Sequence, residues 1–211
     1  MSRVSGMVER VRLMLLRGEV PAGGRMVELL LAERLHISHA TVREVLRQLE
    51  GDGLLVANPA GGMRVVALGD AELTETLEVR AALEALAAEL AARRVRAGDV
   101  PDGALDELDR LADAAEAAAG LDALVADRHL HRAVDALAGN EPCHDALTRI
   151  WDRLLVAGAQ VPAAFGPARG ASADREHREL LAAIAAGDEA EAAATARRHV
   201  LAELPAVAVE D

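Results

Sequence analysis

Apolar residues recur at helical spacing between Leu31 and Leu55, in LAERLHISHATVREVLRQLEGDGLL. At i, i+3, i+4 and i+7 they predict one buried stripe on an amphipathic helix, formed by Val42, Val45, Leu46 and Leu49. The opposite stripe carries His39, Arg43 and Arg47. Ser38 stands where an N-cap belongs, so the pattern predicts a shorter helix, a tight turn and a second helix that begins near His39.

Two short apolar runs, LLVA and MRVVA, follow this helix and are separated by NPAGG. The glycines at 61 and 62 favour a turn, so the runs predict a two-stranded hairpin, or wing. Each feature alone also fits a small helical hairpin packed for stability. A capped helix with a basic exposed face, directly followed by a wing, favours a DNA-binding winged helix.

From Asp70 onward the strand pattern ends and alanine-rich helical periodicity begins. Six helices are predicted, at about 72–96, 103–118, 120–138, 142–158, 172–186 and 188–204. A loop is predicted before the fifth of them, at Pro162, Gly166, Pro167 and Gly170. The predicted fold is mostly α, with a winged helix-turn-helix domain at 1–69 and an all-α antiparallel helical bundle at 70–211.

The charge is divided unevenly along the chain, whose formal net charge is −12. Residues 1–66 hold nine arginines and seven acidic residues, a net of +2, and the remainder has a net of −14. A domain with so small a positive charge binds DNA through a few placed arginines, so specific, salt-sensitive binding is expected.

The single cysteine, Cys143, excludes an intrachain disulfide. No apolar run approaches the ~20 residues of a membrane helix, and the N-terminus has no signal-peptide pattern. We therefore expect a cytoplasmic protein with no membrane association.

Asp127 and His131 are spaced i, i+4, so a helix would project both side chains from one face. His177 and His199 lie on two other predicted helices that a bundle can bring close. One carboxylate and three imidazoles suit Zn, Ni, Mn or Fe, with zinc the leading choice. A simple surface hydrogen bond between Asp127 and His131 is the alternative.

The segment LAERLHISHATVREVLRQLEGDGLL, followed by PAGGMRVV, resembles the DNA-binding domain of the GntR family of bacterial transcription regulators. The later segments DRHLHRAVDALAGN, EHRELLAAIAAGDEAEAA and ARRHV are similar to the FCD effector-binding domain of its FadR-like branch. Six helices in this domain rather than seven favour the shorter, VanR-like group. The resemblance implies metal ligands at Asp127, His131, His177 and His199.

The resemblance also implies a DNA-contacting set, made of Ser38, His39, Thr41, Arg43, Arg47 and Gly62. His39 stands where many relatives carry an arginine, and a neutral imidazole lacks the bidentate fork that reads guanine. A second family arginine has no counterpart among Val27, Glu28 and Leu29. The operator bases are therefore expected to differ from those usual in the family.

Arg80 and Glu84 are spaced i, i+4, which predicts an intrahelical ion pair. The resemblance implies an alternative role for Arg80, contact with a carboxylate of an effector. Asn140 and Arg149 are further candidates for this effector-binding pocket, whereas Trp151 is predicted to lie in the core.

Together these features predict a homodimeric, ligand-responsive transcription regulator, such as a repressor, that binds a pseudo-palindromic operator in double-stranded DNA. A small carboxylate metabolite at a divalent transition metal is the expected effector. One alternative is a metal-dependent hydrolase-like helical enzyme fused to a DNA-binding domain, but no nucleophile or general-base motif accompanies the ligands. The other is a regulator whose metal is purely structural.

Overall fold

The computed structural model describes residues 3–157 and 167–204, which fall into two compact units. The first unit holds the residues up to 68 and residues 151–157, and the second holds 69–150 and the described residues from 167. The elements up to residue 68 are α1 (Arg3–Leu16), β1 (Arg25–Met26), α2 (Glu28–Leu35), α3 (His39–Gly51), β2 (Leu55–Ala57) and β3 (Met63–Val65). Six helices follow, α4 (Asp70–Ala97), α5 (Ala104–Ala117), α6 (Leu121–Ala138), α7 (Glu141–Ala157), α8 (Pro167–Ala185) and α9 (Glu189–Leu201).

Helix α3 packs against α1 and α2 through its predicted apolar stripe. All four positions of that stripe, Val42, Val45, Leu46 and Leu49, are buried. The Oγ of Ser38 accepts a hydrogen bond from the backbone N–H of Thr41 at 3.2 Å, so the predicted N-cap is confirmed. His36 ends α2 in a left-handed conformation with φ of 53°, which makes the turn to α3 tight.

The wing is a small antiparallel sheet in the order β1-β3-β2, with Leu55 opposite Val65. The predicted hairpin of β2 and β3 is confirmed, and its turn is closed by a 2.9 Å hydrogen bond from Asn58 N–H to the carbonyl of Gly62. Gly62 has a φ of +81°, a backbone conformation that residues other than glycine rarely adopt. Strand β1 was not predicted, because two residues are too short to show an alternating pattern.

The six predicted helices of the second unit are all present, and α4 packs against α6, α8 and α9. The face of α4 in this core is almost entirely alanine, at Ala87, Ala88, Ala91 and Ala92. Helix α9 contributes Ala192 and Ala196 to the same core, and both are fully buried. Small side chains let helix axes approach closely, so longer side chains on the same helices can meet at one point.

Helix α8 begins at Pro167, five residues before the predicted start. The expectation that Pro167 and Gly170 form a helix-free loop was wrong. Proline is well tolerated in the first turn of a helix, where its missing N–H has no partner to lose. Pro162 and Gly166, also predicted in this loop, lie outside the described residues.

Trp151 is 2% exposed, as predicted for a core residue, and Cys143 is also buried. The Cys143 thiol donates to the carbonyl oxygen of Leu83 at 3.5 Å. Within the described ranges, none of the helices combines the length and the apolar character that a bilayer-spanning segment requires.

Gly187 is expected to control how closely the turn between α8 and α9 approaches α4. A Cβ at this position would lie 2.7 Å from the Cβ of Arg96. Gly98 has the same φ of +68°, but a Cβ there would meet nothing within 4 Å. Gly98→Ala should therefore cost only the ~1–2 kcal/mol of a left-handed alanine. Gly187→Ala should cost a further ~1–3 kcal/mol of overpacking in the free energy of unfolding, measured by urea denaturation. Equal losses in the two variants would contradict this account of the turn.

Candidate functional site

Three helices bring one carboxylate and three imidazoles together inside the second unit. Helix α6 supplies Asp127 and His131, α8 supplies His177, and α9 supplies His199. Each residue offers one ligand atom, and these atoms lie within 4.8 Å of one another. The three histidines are buried and the Asp127 side chain is 18% exposed. The structure thus brings together the four residues predicted as metal ligands.

The spacing of the ligand atoms suits one bound ion. The Nε2 atoms of His131 and His199 are 3.2 Å apart. The Oδ1 of Asp127 lies 2.9 Å from the Nε2 of His177 and 3.6 Å from that of His131. Ligand atoms ~2.1 Å from a tetrahedral ion lie ~3.4 Å from one another. The cluster therefore needs only small adjustments to coordinate a metal.

The Nε2 of His177 is a buried polar atom that forms no hydrogen bond within the described part of the chain. The Oδ1 of Asp127 lies 2.9 Å from this nitrogen, a close polar contact that does not meet hydrogen-bond geometry. A buried polar atom without a partner costs ~1–3 kcal/mol. A divalent transition metal would remove that cost, so the residues present fit such an ion.

Two further carboxylates fix the orientation of the imidazole rings. Glu84 on α4 contacts the Nδ1 of His131, and Glu176 on α8 accepts from the Nδ1 of His199 at 2.9 Å. Each Nδ1 thus carries a hydrogen toward a carboxylate, which leaves each Nε2 facing the centre of the cluster. Carboxylates in this position hold metal-binding histidines in the required tautomer and raise their basicity.

The ionisation states of the metal-free cluster follow from burial and the nearby charges. Burial lowers the pKa of His199 to about 4, so this ring is neutral at pH 7. Burial also acts to lower the pKa of His131, but the charges of Glu84 and Asp127 outweigh it and raise that pKa to about 10. A metal must therefore displace a proton from the Nε2 of His131, and lower pH should weaken metal binding.

Sequence reasoning missed several of the carboxyl groups around the cluster. Glu176 and Glu203 were not singled out, and Asp135 is buried near Glu84. Burial, followed by the charge of Glu84, raises the pKa of Asp135 to about 8. Glu203 follows His199 by four residues, and this spacing is the sequence feature that could have placed it near the cluster. Helical spacing alone, however, does not show which face of α9 is buried.

Arg80 is fully buried and forms the predicted ion pair with Glu84, its Nε donating to Oε1 at 2.8 Å. Its Nη1 also donates to both carboxylate oxygens of Glu203, at 3.0 and 2.8 Å. Burial acts to lower the pKa of Arg80, but the charges of Glu203 and Glu84 outweigh it and raise that pKa. Contact of Arg80 with an effector stays a prediction.

The other two candidates for effector contact lie at the start and in the middle of α7. The Oδ1 of Asn140 accepts from the backbone N–H of Cys143 at 3.2 Å, so it caps the first turn of this helix. Arg149 is exposed. Contact with an effector stays a prediction for both residues.

The candidate DNA-binding face is the exposed side of α3. Ser38 and His39 are exposed at its N-terminal end, and Thr41 is half-buried. The side chains of Arg43 and Arg47 are 65% and 63% exposed. Both arginines already bind carboxylates. Arg43 donates to Glu28 at 3.0 Å, and Arg47 donates to Glu44 at 2.7 Å. To bind DNA, each arginine must exchange a carboxylate for a phosphate or a base edge.

The start of α2 leaves apolar residues exposed. Leu29 and Leu30 are 54% and 60% exposed. Val27, at the N-cap position, makes no side-chain cap. On the wing, Gly62 is exposed. Exposed basic side chains come from the wing, at Arg25 and Arg64, as well as from α3.

A winged helix with basic residues on its exposed helix, joined to a helical unit with a buried carboxylate–imidazole cluster, defines a transcription regulator with a sensing domain. The profile described as "Bacterial regulatory proteins, gntR family" matches residues 4–65. The FCD domain profile matches residues 75–202. The chain belongs to the GntR family of transcription regulators and carries a C-terminal FCD domain; it is not an enzyme.

Relatives along almost the whole chain are regulators as well. A protein of Paenarthrobacter nicotinovorans described as a "Probable D-xylose utilization operon transcriptional repressor" is 30% identical, over 91% of this chain and 83% of its own. The HTH-type transcriptional regulator McbR of Escherichia coli K12 is 28% identical, over 89% and 82%.

Solved structures share the fold. E. coli McbR/YncC superposes with a TM-score of 0.78 at 23% identity, covering 95% of this chain and 94% of that one. A GntR-type regulator from Rhodococcus sp. RHA1 gives 0.76 at 22% identity, covering 96% of each chain.

Loss of one ligand should empty the metal site. His177→Ala is expected to lose most of its metal, measured by elemental analysis of the purified protein. Its melting temperature should fall, because metal binding contributes to folding energy. His129→Ala is the matched control, since His129 is exposed on the same helix as His131. Full metal occupancy in His177→Ala, or equal loss in both variants, would refute the ligand assignment.

Proposed function

We propose that this regulator holds a divalent transition metal, with zinc the leading choice, at Asp127, His131, His177 and His199. A small carboxylate effector binds at that metal and controls operator binding by α3 and the wing. The observation that carries the proposal is the convergence of four ligand atoms from α6, α8 and α9, three of them on buried histidines. The FCD match over the same residues supports it.

The DNA-binding part of the proposal is a homodimer on a pseudo-palindromic operator. A single recognition helix reads only a few base pairs, and two helices related by a twofold read two half-sites. Residues 1–66 carry only a small net positive charge, so one such domain attracts DNA weakly. This also favours two domains that bind the operator together. The proposed contact set is Ser38, His39, Thr41, Arg43, Arg47 and Gly62.

The proposal that a carboxylate effector binds here rests on the four proposed metal ligands and on Arg80. Three imidazoles and one carboxylate complete a four-coordinate site, so an effector oxygen would bind by expanding the coordination of the ion to five or six. Arg80 is a buried cation on a neighbouring helix, and its planar fork suits a carboxylate. When bound, the metal would supply Lewis acidity toward the effector oxygen. The chain's own residues orient the histidines and exclude water.

Effector binding acts by shifting the population between states of different operator affinity. Repression is the favoured direction of control, because the Paenarthrobacter relative is described as a repressor. A metal that serves only to hold the three helices together is the remaining alternative, and it predicts no change in operator affinity on adding an effector.

Arg43→Ala should weaken specific DNA binding by ~1–3 kcal/mol while helical content stays unchanged. Gel-shift titration on a duplex selected from genomic DNA by the wild-type protein measures this. Arg110→Ala is the control, since Arg110 is an exposed, carboxylate-paired arginine on α5. An unchanged affinity of Arg43→Ala for the duplex would contradict the assignment of α3 as the recognition helix.

A second variant at the same contact should act in the opposite direction. Glu28→Gln removes the carboxylate that binds Arg43 and a negative charge beside the proposed DNA path. We therefore expect it to bind the same duplex more tightly than wild type, with the larger gain at low salt.

The metal should be needed for the response to the effector but not for basal DNA binding. Operator affinity is measured with and without a panel of lactate, succinate and citrate, for wild type, His177→Ala and His129→Ala. Wild type and His129→Ala should respond to at least one carboxylate. His177→Ala should bind the operator but should not respond. An intact response in metal-free His177→Ala would show that the ion is structural.

A further inference from the structure

The buried guanidinium of Arg80 is already bound by a carboxylate from the end of the chain's last described helix. Glu203 lies in the turn that follows α9 and accepts two hydrogen bonds from Arg80 Nη1, at 3.0 and 2.8 Å. Its side chain is 8% exposed. The Glu203 carboxylate thus accepts hydrogen bonds from one nitrogen of the guanidinium, Nη1. The carboxylate of a bound organic acid would accept them in the same way.

Glu203 also lies close to the metal cluster. Its Oε1 is 4.0 Å from the Nε2 of His199, one of the four ligand atoms. Its carboxylate therefore lies close both to the guanidinium of Arg80 and to one of the proposed ligand atoms. A small carboxylate effector that contacts the metal and Arg80 together would need this same space.

Charge balance limits what this buried space can accept. Arg80 and a divalent ion bring three positive charges, and Glu84, Asp127 and Glu203 bring three negative charges. Glu176, at the partly exposed edge of the cluster, adds a fourth negative charge, so these groups together already carry one negative charge in excess. An extra anion would leave a buried charge uncompensated, which is costly. Replacing one carboxylate by another keeps the balance.

We propose that Glu203 is an internal substitute for the effector, and that a carboxylate effector binds by displacing Glu203 from Arg80. This inference rests on the metal-centred function proposed above. It assigns Glu203 a specificity-determining role, since a ligand without a negatively charged group cannot replace Glu203 on Arg80. The same exchange frees the turn at residues 202–204.

Of the two carboxylates on Arg80, Glu203 is the one that can leave. Glu84 lies in the middle of the 28-residue helix α4 and is also bonded to His131. Glu203 lies beyond Leu201, the last residue of α9. Its backbone N–H bonds to the carbonyl of Val200 at 3.0 Å, a three-residue turn bond that is weaker than those inside an α-helix.

The test uses full-length, metal-loaded protein and acetate, the smallest probe with a carboxylate and a carbon chain. The apparent Kd of ¹³C-labelled acetate is measured by NMR titration for wild type, Glu203→Gln and Glu179→Gln. Glutamine keeps the size of Glu203 but removes the competing charge, so Glu203→Gln should bind acetate at least about tenfold more tightly. Glu179 is exposed on α8, and its variant should match wild type.

Glu203→Ala is a second variant, and it should bind acetate more tightly as well. Equal acetate Kd values in wild type and both Glu203 variants, or no detectable acetate binding in any of them, would overturn the inference. D-xylose serves as a neutral hydroxyl ligand, and its Kd should not change in either variant. An equal tightening for D-xylose would show an opened cavity rather than an exchange of carboxylates, and would also overturn it.

The metal content of each sample, measured beforehand, separates two failures. A wild-type protein that retains no metal after loading refutes the proposed metal centre itself. A metal-loaded protein whose acetate Kd does not depend on Glu203 refutes only the exchange.

Discussion

The constraint on which the second unit depends is the convergence of four polar ligand atoms at one point, three of them on buried imidazoles. Asp127, His131, His177 and His199 come from three helices, and each would lose hydration without a shared partner. The alanine faces of α4 and α9 let these two helices pack closely, and Glu84 on α4 thereby reaches the His131 imidazole. Glu84 and Glu176 then fix the ring orientations.

Intramolecular carboxylates hold the arginines at both proposed sites. On the exposed face of α3, Arg43 is bound by Glu28, and in the core Arg80 is bound by Glu84 and Glu203. Exposed pairs such as Arg43–Glu28 are worth little, ~0–1 kcal/mol, so DNA can replace the carboxylate easily. The buried pairs of Arg80 are different, because a charge there cannot be left without a partner. In the exchange proposed above, the incoming ligand must therefore bring a negative charge of its own to Arg80.

Much of the fold could be predicted from local patterns. The buried stripe of α3, the Ser38 cap and the six later helices follow from periodicity and capping, which act over a few residues. Strand β1 and the start of α8 at Pro167 were missed, since pairing over two residues and proline at a helix start leave no periodic signal. At the site, helical spacing indicated that Asp127 and His131 share a face, His177 and His199 were proposed as partners from other predicted helices, and the family resemblance supported the same four residues. The approach of separate helices is a tertiary property, so the roles of Glu176 and Glu203 could not be read from the sequence.

X-ray absorption spectroscopy of the purified, metal-loaded protein tests the central claim most directly, because it counts the atoms bound to the ion. The account predicts three imidazole nitrogens at ~2.0–2.1 Å, together with oxygen ligands from Asp127 and from solvent or effector. It also predicts no sulfur, since the single cysteine, Cys143, is not part of the cluster. A spectrum with fewer than three imidazoles, or with a sulfur ligand, would contradict the metal centre described here.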